Sequence, residues 1–322
     1  MTLTATTVTA PTARPRPPAG SRRAGRSRPS WRSPAYLFIL PGFAVFSLVM
    51  VYPTVQAFLM SLQDFSLVAT KPSQWIGLTN YLDALSDPVF WRALANSGVY
   101  MVVTVPGQMV LGLACAIALK NRLKGRSAFR IMVYIPVITS WVVVSILFKF
   151  LFQTEGGLVN FILTDVTHLG DSGVDWFNGR WTALVAICAL GVWKGVGWTM
   201  IIFLAALQSV PDQLYEAAQV DGAGGLAQFW HVTLPSIRRT LLFITIMLVI
   251  GAFNVFISVS LMTGGGPANQ TQVPLTYLYR QAFNFLDFGY GSAIAFMLTA
   301  LIALFSAVQF RLGDKAAEEA IA

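Results

Sequence analysis

Lys194 lies near the middle of an apolar run, residues 181–209, within Trp193-Lys194-Gly195-Val196-Gly197-Trp198. A lysine at that depth of a bilayer costs about 3 kcal/mol on insertion scales, so it faces a cavity or a partner group. The other reading is an ammonium that snorkels to the interface on its aliphatic stem; long apolar flanks on both sides weaken it. In a cavity, Trp193 and Trp198 can stack on the apolar face of a sugar ring while Lys194 donates hydrogen bonds. A second segment, Glu216-Ala217-Ala218-Gln219-Val220-Asp221-Gly222 followed by Val232-Thr233-Leu234-Pro235, is polar and glycine-broken, yet lies between two long apolar runs. Its residue types suit docking rather than bond-making.

Little else in the chain points to chemistry. Cys115 and Cys188 fall inside apolar runs and form no disulfide framework. His168 and His231 are isolated, and no Cys/His/Asp cluster has metal-ligand spacing. No nucleophile–base pair or carboxylate pair suggests a membrane enzyme. No G-x-x-x-x-G-K-[ST] phosphate loop is present; Gly264-Gly265-Gly266 and Gly222-Ala223-Gly224-Gly225 read as turns at membrane edges. The expectation is no catalytic residue, no metal and no cofactor on this chain.

The elements that must position these residues are membrane spans. The 322 residues are 55% hydrophobic and 11% charged, against about 25% charged in a soluble domain. Six apolar runs reach the about 20 residues a span needs: roughly 36–62, 95–119, 129–152, 181–209, 238–262 and 289–311. Pro41, Pro53 and Pro106 are candidate kinks. The fold class is all-α, a polytopic membrane protein with six transmembrane helices. Residues 1–33, with seven arginines, no acid and no apolar signal-peptide core, read as a disordered basic arm. Residues 34–312 form the spanning domain, with a connection at 209–236, and 313–322 a short tail.

Charge sets the orientation. Lys120, Arg122, Lys124, Arg126 and Arg130 fill one connection, and Arg238, Arg239, Arg311 and Lys315 edge others on the side of the arm. The opposite loops hold Lys71, Arg92, Arg180 and Arg280. Positive-inside logic places both termini and the Glu216 connection in the cytoplasm of a multi-pass cell-membrane protein. The same clustering beside apolar spans explains the pI near 9.7 without nucleic acid.

Within the 209–236 connection, Pro211 starts a helix on which Leu214, Ala217 and Ala218 share a face, and Asp221-Gly222 ends it. A second short helix is expected from about Leu226 to Thr233, ended by Pro235. Two amphipathic helices hinged at glycine suit either a partner's groove or the lipid surface.

The spacing Glu216-Ala217-Ala218, Gly222, Val232, Leu234-Pro235 resembles the coupling-loop signature of ATP-binding-cassette importer membrane subunits, with Val232 where that signature usually has Ile. Further segments resemble the sugar-importing branch related to the maltose transporter's membrane subunit, in order between residues 36 and 311. They are Gly77-Leu78-Thr79-Asn80-Tyr81, Tyr134-Ile135-Pro136-Val137, Glu155-Gly156-Gly157-Leu158-Val159-Asn160, Phe203-Leu204-Ala205-Ala206-Leu207-Gln208 and Met262-Thr263-Gly264-Gly265-Gly266-Pro267. The maltose subunit has two extra spans and a large extracytoplasmic insertion; this chain resembles the six-span form.

The resemblance implies a membrane subunit of a binding-protein-dependent, ATP-driven importer of sugars or oligosaccharides. Its partners would be a second homologous permease, an ATPase dimer carrying ATP and Mg, and an extracytoplasmic sugar-binding protein. It assigns ATPase coupling to Glu216, Ala217, Ala218, Asp221, Gly222, Leu234 and Pro235. Lys194, Gly195 and Trp198, and in the fifth span Leu248, Gly251, Ala252 and Val255, match sugar-facing positions, with Asn254 the polar neighbour. Asn254 suits a sugar contact or a helix–helix hydrogen bond equally. A glycerol phosphodiester or polyol is the alternative cargo. An ion-coupled transporter would need midplane acids, which the six runs lack.

Overall fold

The computed structural model describes residues 34–65, 73–120, 125–168 and 173–318. The arm at 1–33, Lys71, Arg122, Lys124 and the last four residues lie outside them. The chain divides into two compact units, residues 1–53 and 54–322. In the first, α1 (Pro34–Phe46) accommodates Pro41 and is followed by a π-helical turn, Ser47–Val51. Its apolar side chains, such as Phe38, Phe43 and Leu48, are exposed. Such a surface suits lipid or another chain and not water.

The second unit begins in α2 (Tyr52–Ser61) and a minimal hairpin, β1 (Gln63–Asp64) with β2 (Gln74–Trp75). Then come α3 (Thr79–Ser86), α4 (Pro88–Lys120), α5 (Arg126–Ile138), α6 (Trp141–Leu151), α7 (Leu158–Phe161) and α8 (Arg180–Gln208). The chain continues through α9 (Asp212–Val220), α10 (Gly225–Gln228), α11 (Leu234–Ser236), α12 (Arg238–Phe253), α13 (Ile257–Met262), α14 (Pro274–Tyr279) and α15 (Phe288–Glu318). Among the described residues, five helices are long and apolar enough to cross a membrane: Phe38–Ser61, Pro88–Lys120, Arg180–Gln208, Arg238–Met262 and Phe288–Arg311. The sixth expected span, 129–152, is instead the pair α5 and α6, bent by 97°. The last helix continues to Glu318, through most of the stretch read as a tail.

The seam between α4 and α8 organises this unit. Small residues let the backbones approach, the usual device where lipid removes any hydrophobic drive between helices. Gly112 lies against Thr199, Gly191 against Tyr100 and Gly195 against Gln108. Below that level the seam is filled by Ala116, Leu119, Met200, Phe203, Leu204 and Leu207, joined by Ile237 and Ile244. Phe203, Leu204 and Leu207 of the Phe203–Gln208 segment are therefore core, while Ala205 and Gln208 are exposed.

At the opposite end from the Glu216 connection, buried amides fasten the loops. Asn80 donates to the carbonyls of Ser61 (2.9 Å) and Gln63 (3.0 Å). Asn160 donates to Thr154 O (3.0 Å) and Val174 O (2.9 Å) and accepts from the Trp176 indole (2.8 Å). Asn96 donates to Gln270 O (2.8 Å) and Gln272 O (2.7 Å) and accepts from Arg180 Nε (3.0 Å). Buried backbone oxygens need such donors, and a side-chain amide supplies two. Asp87 accepts from the hydroxyls of Tyr277 and Tyr290 (2.8 Å for the latter) and from Val89 N–H (2.8 Å), tying the start of α4 to α14 and α15.

Candidate functional site

One long span, Arg238–Met262, and the bent α5–α6 pair are interrupted, and their breaks meet at one cavity. α5 ends at Thr139 and Ser140, both extended, before α6 starts at Trp141. α12 ends at Asn254, Phe256 leaves helical geometry (φ −139°, ψ −60°), and α13 resumes at Ile257. Between these breaks and the α4–α8 seam lies a cavity of about 480 Å³, lined in part by Tyr100, Thr104, Gln108, Trp141, Gly195 and Asn254. That volume falls within the range typical of small-molecule sites, about 300–1,000 Å³.

Among the described residues, the lining carries hydroxyls and amides and no charged side chain. Gln108 Nε2 donates to Gly191 O at 3.3 Å and Thr104 Oγ1 to Tyr100 O at 2.7 Å. Asn254 Nδ2 donates to Ile250 O in its own helix at 2.8 Å, which closes the end of α12. Gly195, Leu248, Gly251, Ala252, Asn254 and Val255 all reach the lining.

Three expected residues lie elsewhere. Trp193 packs on Phe148, with ring centroids 5.4 Å apart, and lines a separate apolar groove of about 960 Å³ along α4, α5 and α8. Trp198 packs against the lower α4–α8 core. Lys194 is 3% exposed and its ammonium donates to the carbonyls of Pro136 (2.7 Å), Thr139 (2.7 Å) and, at 3.5 Å, Val137. It also lies 4.8 Å from the centre of the Trp141 ring. A charge at this depth needs partners, and here the broken end of α5 provides them.

Tyr100, Thr104, Gln108, Trp141 and Met247 were missed as lining residues. A sequence signal existed for three of them: positions 100, 104 and 108 share one helix face of a mostly apolar span. The elbow that exposes Trp141 has no comparable signal.

The Glu216 connection folds as a helix, a glycine turn and a second helical stretch. Pro211 precedes α9, and Gly222 takes φ +80° just past its end. Ala223 N–H bonds Ala218 O (2.8 Å) and Gly222 N–H bonds Gln219 O (3.0 Å), the paired closure of a glycine-terminated helix. The second stretch is α10 followed by a π-helical turn, Phe229–Thr233, rather than one regular helix. Tyr215 Oη meets Thr233 Oγ1 at 3.1 Å, and Lys120 Nζ sits 3.9 Å above the Tyr215 ring. These contacts hold the pair to the end of α4. Glu216, Ala217 and Asp221 are exposed, Ala218 and Leu234 half-buried, and Pro235 exposed in α11. Val220 (87% exposed) and Leu226 (74%) project beside them.

Broken spans around a polar-edged cavity, with an exposed helix pair at one end, are compatible with a membrane component of a transport system. The family model described as the binding-protein-dependent transport system inner membrane component matches residues 108–316, and the chain belongs to that family. Among curated relatives, it is 34% identical over 278 residues to the sulfoquinovosyl glycerol transport system permease protein SmoG of Agrobacterium fabrum, covering 86% of this chain and 89% of the relative. It is 34% identical over 279 residues to the lactose transport system permease protein LacF of Rhizobium radiobacter (85% and 92%). It is also 34% identical over 279 residues to the trehalose/maltose transport system permease protein MalF of Thermococcus litoralis (86% and 92%). The fold matches a bacterial transporter importing the acidic polysaccharide alginate, with TM-score 0.75 and 22% identity over 87% of this chain and 95% of that one. The alginate transporter in complex with its pentasaccharide-bound periplasmic protein gives TM-score 0.76 at 21% identity, over 88% and 94%.

Proposed function

We propose that this chain is the membrane subunit of an ATP-driven importer that passes a sugar or oligosaccharide through the 480 Å³ cavity by alternating access. The observation that carries the coupling half is the exposed Glu216 on a glycine-terminated helix, flanked by projecting Val220 and Leu226. A carboxylate among exposed aliphatic side chains suits a cleft with a basic residue and an apolar floor. In this reading an ATPase dimer, with ATP and Mg on its own chains, receives Glu216, Ala217, Ala218, Asp221, Gly222, Leu234 and Pro235. A second, homologous permease faces the cavity from the other side, and an extracytoplasmic binding protein delivers the cargo. Both termini and the Glu216 connection lie in the cytoplasm.

The cargo class follows from the lining. Tyr100, Thr104, Gln108 and Asn254 offer neutral hydrogen-bonding groups, which suit sugar hydroxyls better than a phosphodiester. The printed names of the relatives point the same way. A thermal-shift screen of the cognate binding protein against neutral sugars, glycerol phosphodiesters and polyols tests this. Stabilisation by a neutral mono- or oligosaccharide, followed by uptake of that sugar in proteoliposomes, supports the reading. Stabilisation by phosphodiesters or polyols alone would sink it.

A further inference from the structure

We infer that Lys194 is a positioning residue: it braces the elbow between α5 and α6 and thereby holds Trp141 in the cavity wall, without touching cargo. The inference rests on the cavity proposed above as the cargo path. An ammonium has three donors, and three carbonyls lie within reach: Pro136 O and Thr139 O at 2.7 Å and Val137 O at 3.5 Å. They belong to the last turn of α5 and its cap, where an ended helix leaves carbonyls without backbone partners; Pro136 O also accepts from Thr139 Oγ1 at 2.6 Å. In a bilayer no water replaces those partners cheaply. The chain turns by 97° immediately beyond. Trp141 is the first residue of α6, its ring centre is 4.8 Å from the ammonium, and it lines the cavity. Lys194 thus joins α8 to the end of one half-span and the start of the next.

Two other roles are open to such a lysine. Direct contact with cargo conflicts with its absence from the lining and with donors already engaged. A purely stabilising role would leave Trp141 where it is when the lysine is replaced.

The test uses the assembled transporter in nanodiscs, labelled with 5-fluorotryptophan, the Trp141 resonance being assigned by its loss in W141F. In K194M that resonance should move or broaden, and in K194R, which keeps charge and donors, it should return. Uptake is read in proteoliposomes with whichever of radiolabelled lactose, trehalose or maltose the wild type takes up. K194M should lower it about tenfold, the loss expected for one charge-assisted bond set, and K194M in a W141A background should lower it no further than W141A alone. If K194M does not assemble, K194Q, which retains one donor group, takes its place. An unmoved Trp141 resonance, or losses that multiply in the double variant, would overturn the inference. A moved resonance with normal uptake in W141A would instead remove the cavity from the cargo path and leave the brace intact.

Discussion

Gly195 and Gly197 sit two residues apart on α8, and alanine at each should have opposite consequences. The atoms nearest to a Cβ at Gly195 are the amide end of Gln108, with Nε2 at 2.7 Å. That side chain is flexible and can swing aside, losing its 3.3 Å bond to Gly191 O. The lost bond costs about 1 kcal/mol, and alanine over glycine in mid-helix returns about 1 kcal/mol. G195A should therefore melt within about 2 °C of wild type. A Cβ at Gly197 meets backbone, Val133 O and Tyr134 Cα at 3.1 Å, and the Val137 side chain, with Cγ2 at 2.8 Å. α5 itself must move, which places the cost at the upper end of overpacking, about 3 kcal/mol. After the same propensity gain the net loss reaches about 2 kcal/mol, or roughly 4–8 °C. The assay is intrinsic tryptophan fluorescence on heating, with the complex in nanodiscs. Functionally the order reverses. G195A displaces the amide from the cavity wall and should raise the KM for uptake about tenfold or more. Equal melting shifts for the two variants, or a normal melt for G197A, would refute the steric reasoning.

Other expectations concern the end opposite the Glu216 connection. Burial alone would raise the pKa of Asp87, but hydrogen bonds from Tyr277, Tyr290 and the N–H groups of Val89 and Phe90 outweigh it and hold the carboxyl below its usual range. A depressed folded pKa gives stability that is present above the unfolded value, about 3.9, and lost as pH falls through the folded one. D87N should therefore flatten the acid limb of the melting-temperature profile below about pH 4. Burial, then the bond to Asp87, pushes the Tyr277 hydroxyl up to about 12, so it remains a donor throughout that range. N96A removes the partners of Gln270 O, Gln272 O and Arg180 together. It should cost about 2–4 kcal/mol and open the 263–273 loop to limited proteolysis.

Much of this fold was legible because hydropathy and charge report directly on a bilayer. The helix start at Pro211 and the stop at Gly222 were readable for the same kind of reason, since only glycine takes φ +80° without strain. The elbow at Thr139–Ser140 was not readable, because apolar residues continue across it and hydropathy has no term for direction. Lys194 shows where local reasoning ends. Its depth correctly demanded partners, but the partners are carbonyls set free by a break 55 positions earlier in the chain. Of the lining residues, Gly195 and Gly251 had matched family positions and Asn254 stood beside them with two readings open, while the Tyr100–Thr104–Gln108 face passed unread in α4. The Glu155–Asn160 segment carried part of the family resemblance, and its asparagine turns out to knit a loop.

The central claim is that ATP hydrolysis on a partner drives cargo through this chain by way of the exposed helix pair. Its most direct test is Glu216→Ala in proteoliposomes with the cognate ATPase and binding protein, measuring hydrolysis and uptake of a bound labelled sugar together. Glu216 is exposed, so the variant should fold and span the membrane as wild type does. The account predicts that uptake per ATP hydrolysed collapses while the purified permease melts unchanged. Uptake that continues at the wild-type ratio would contradict it.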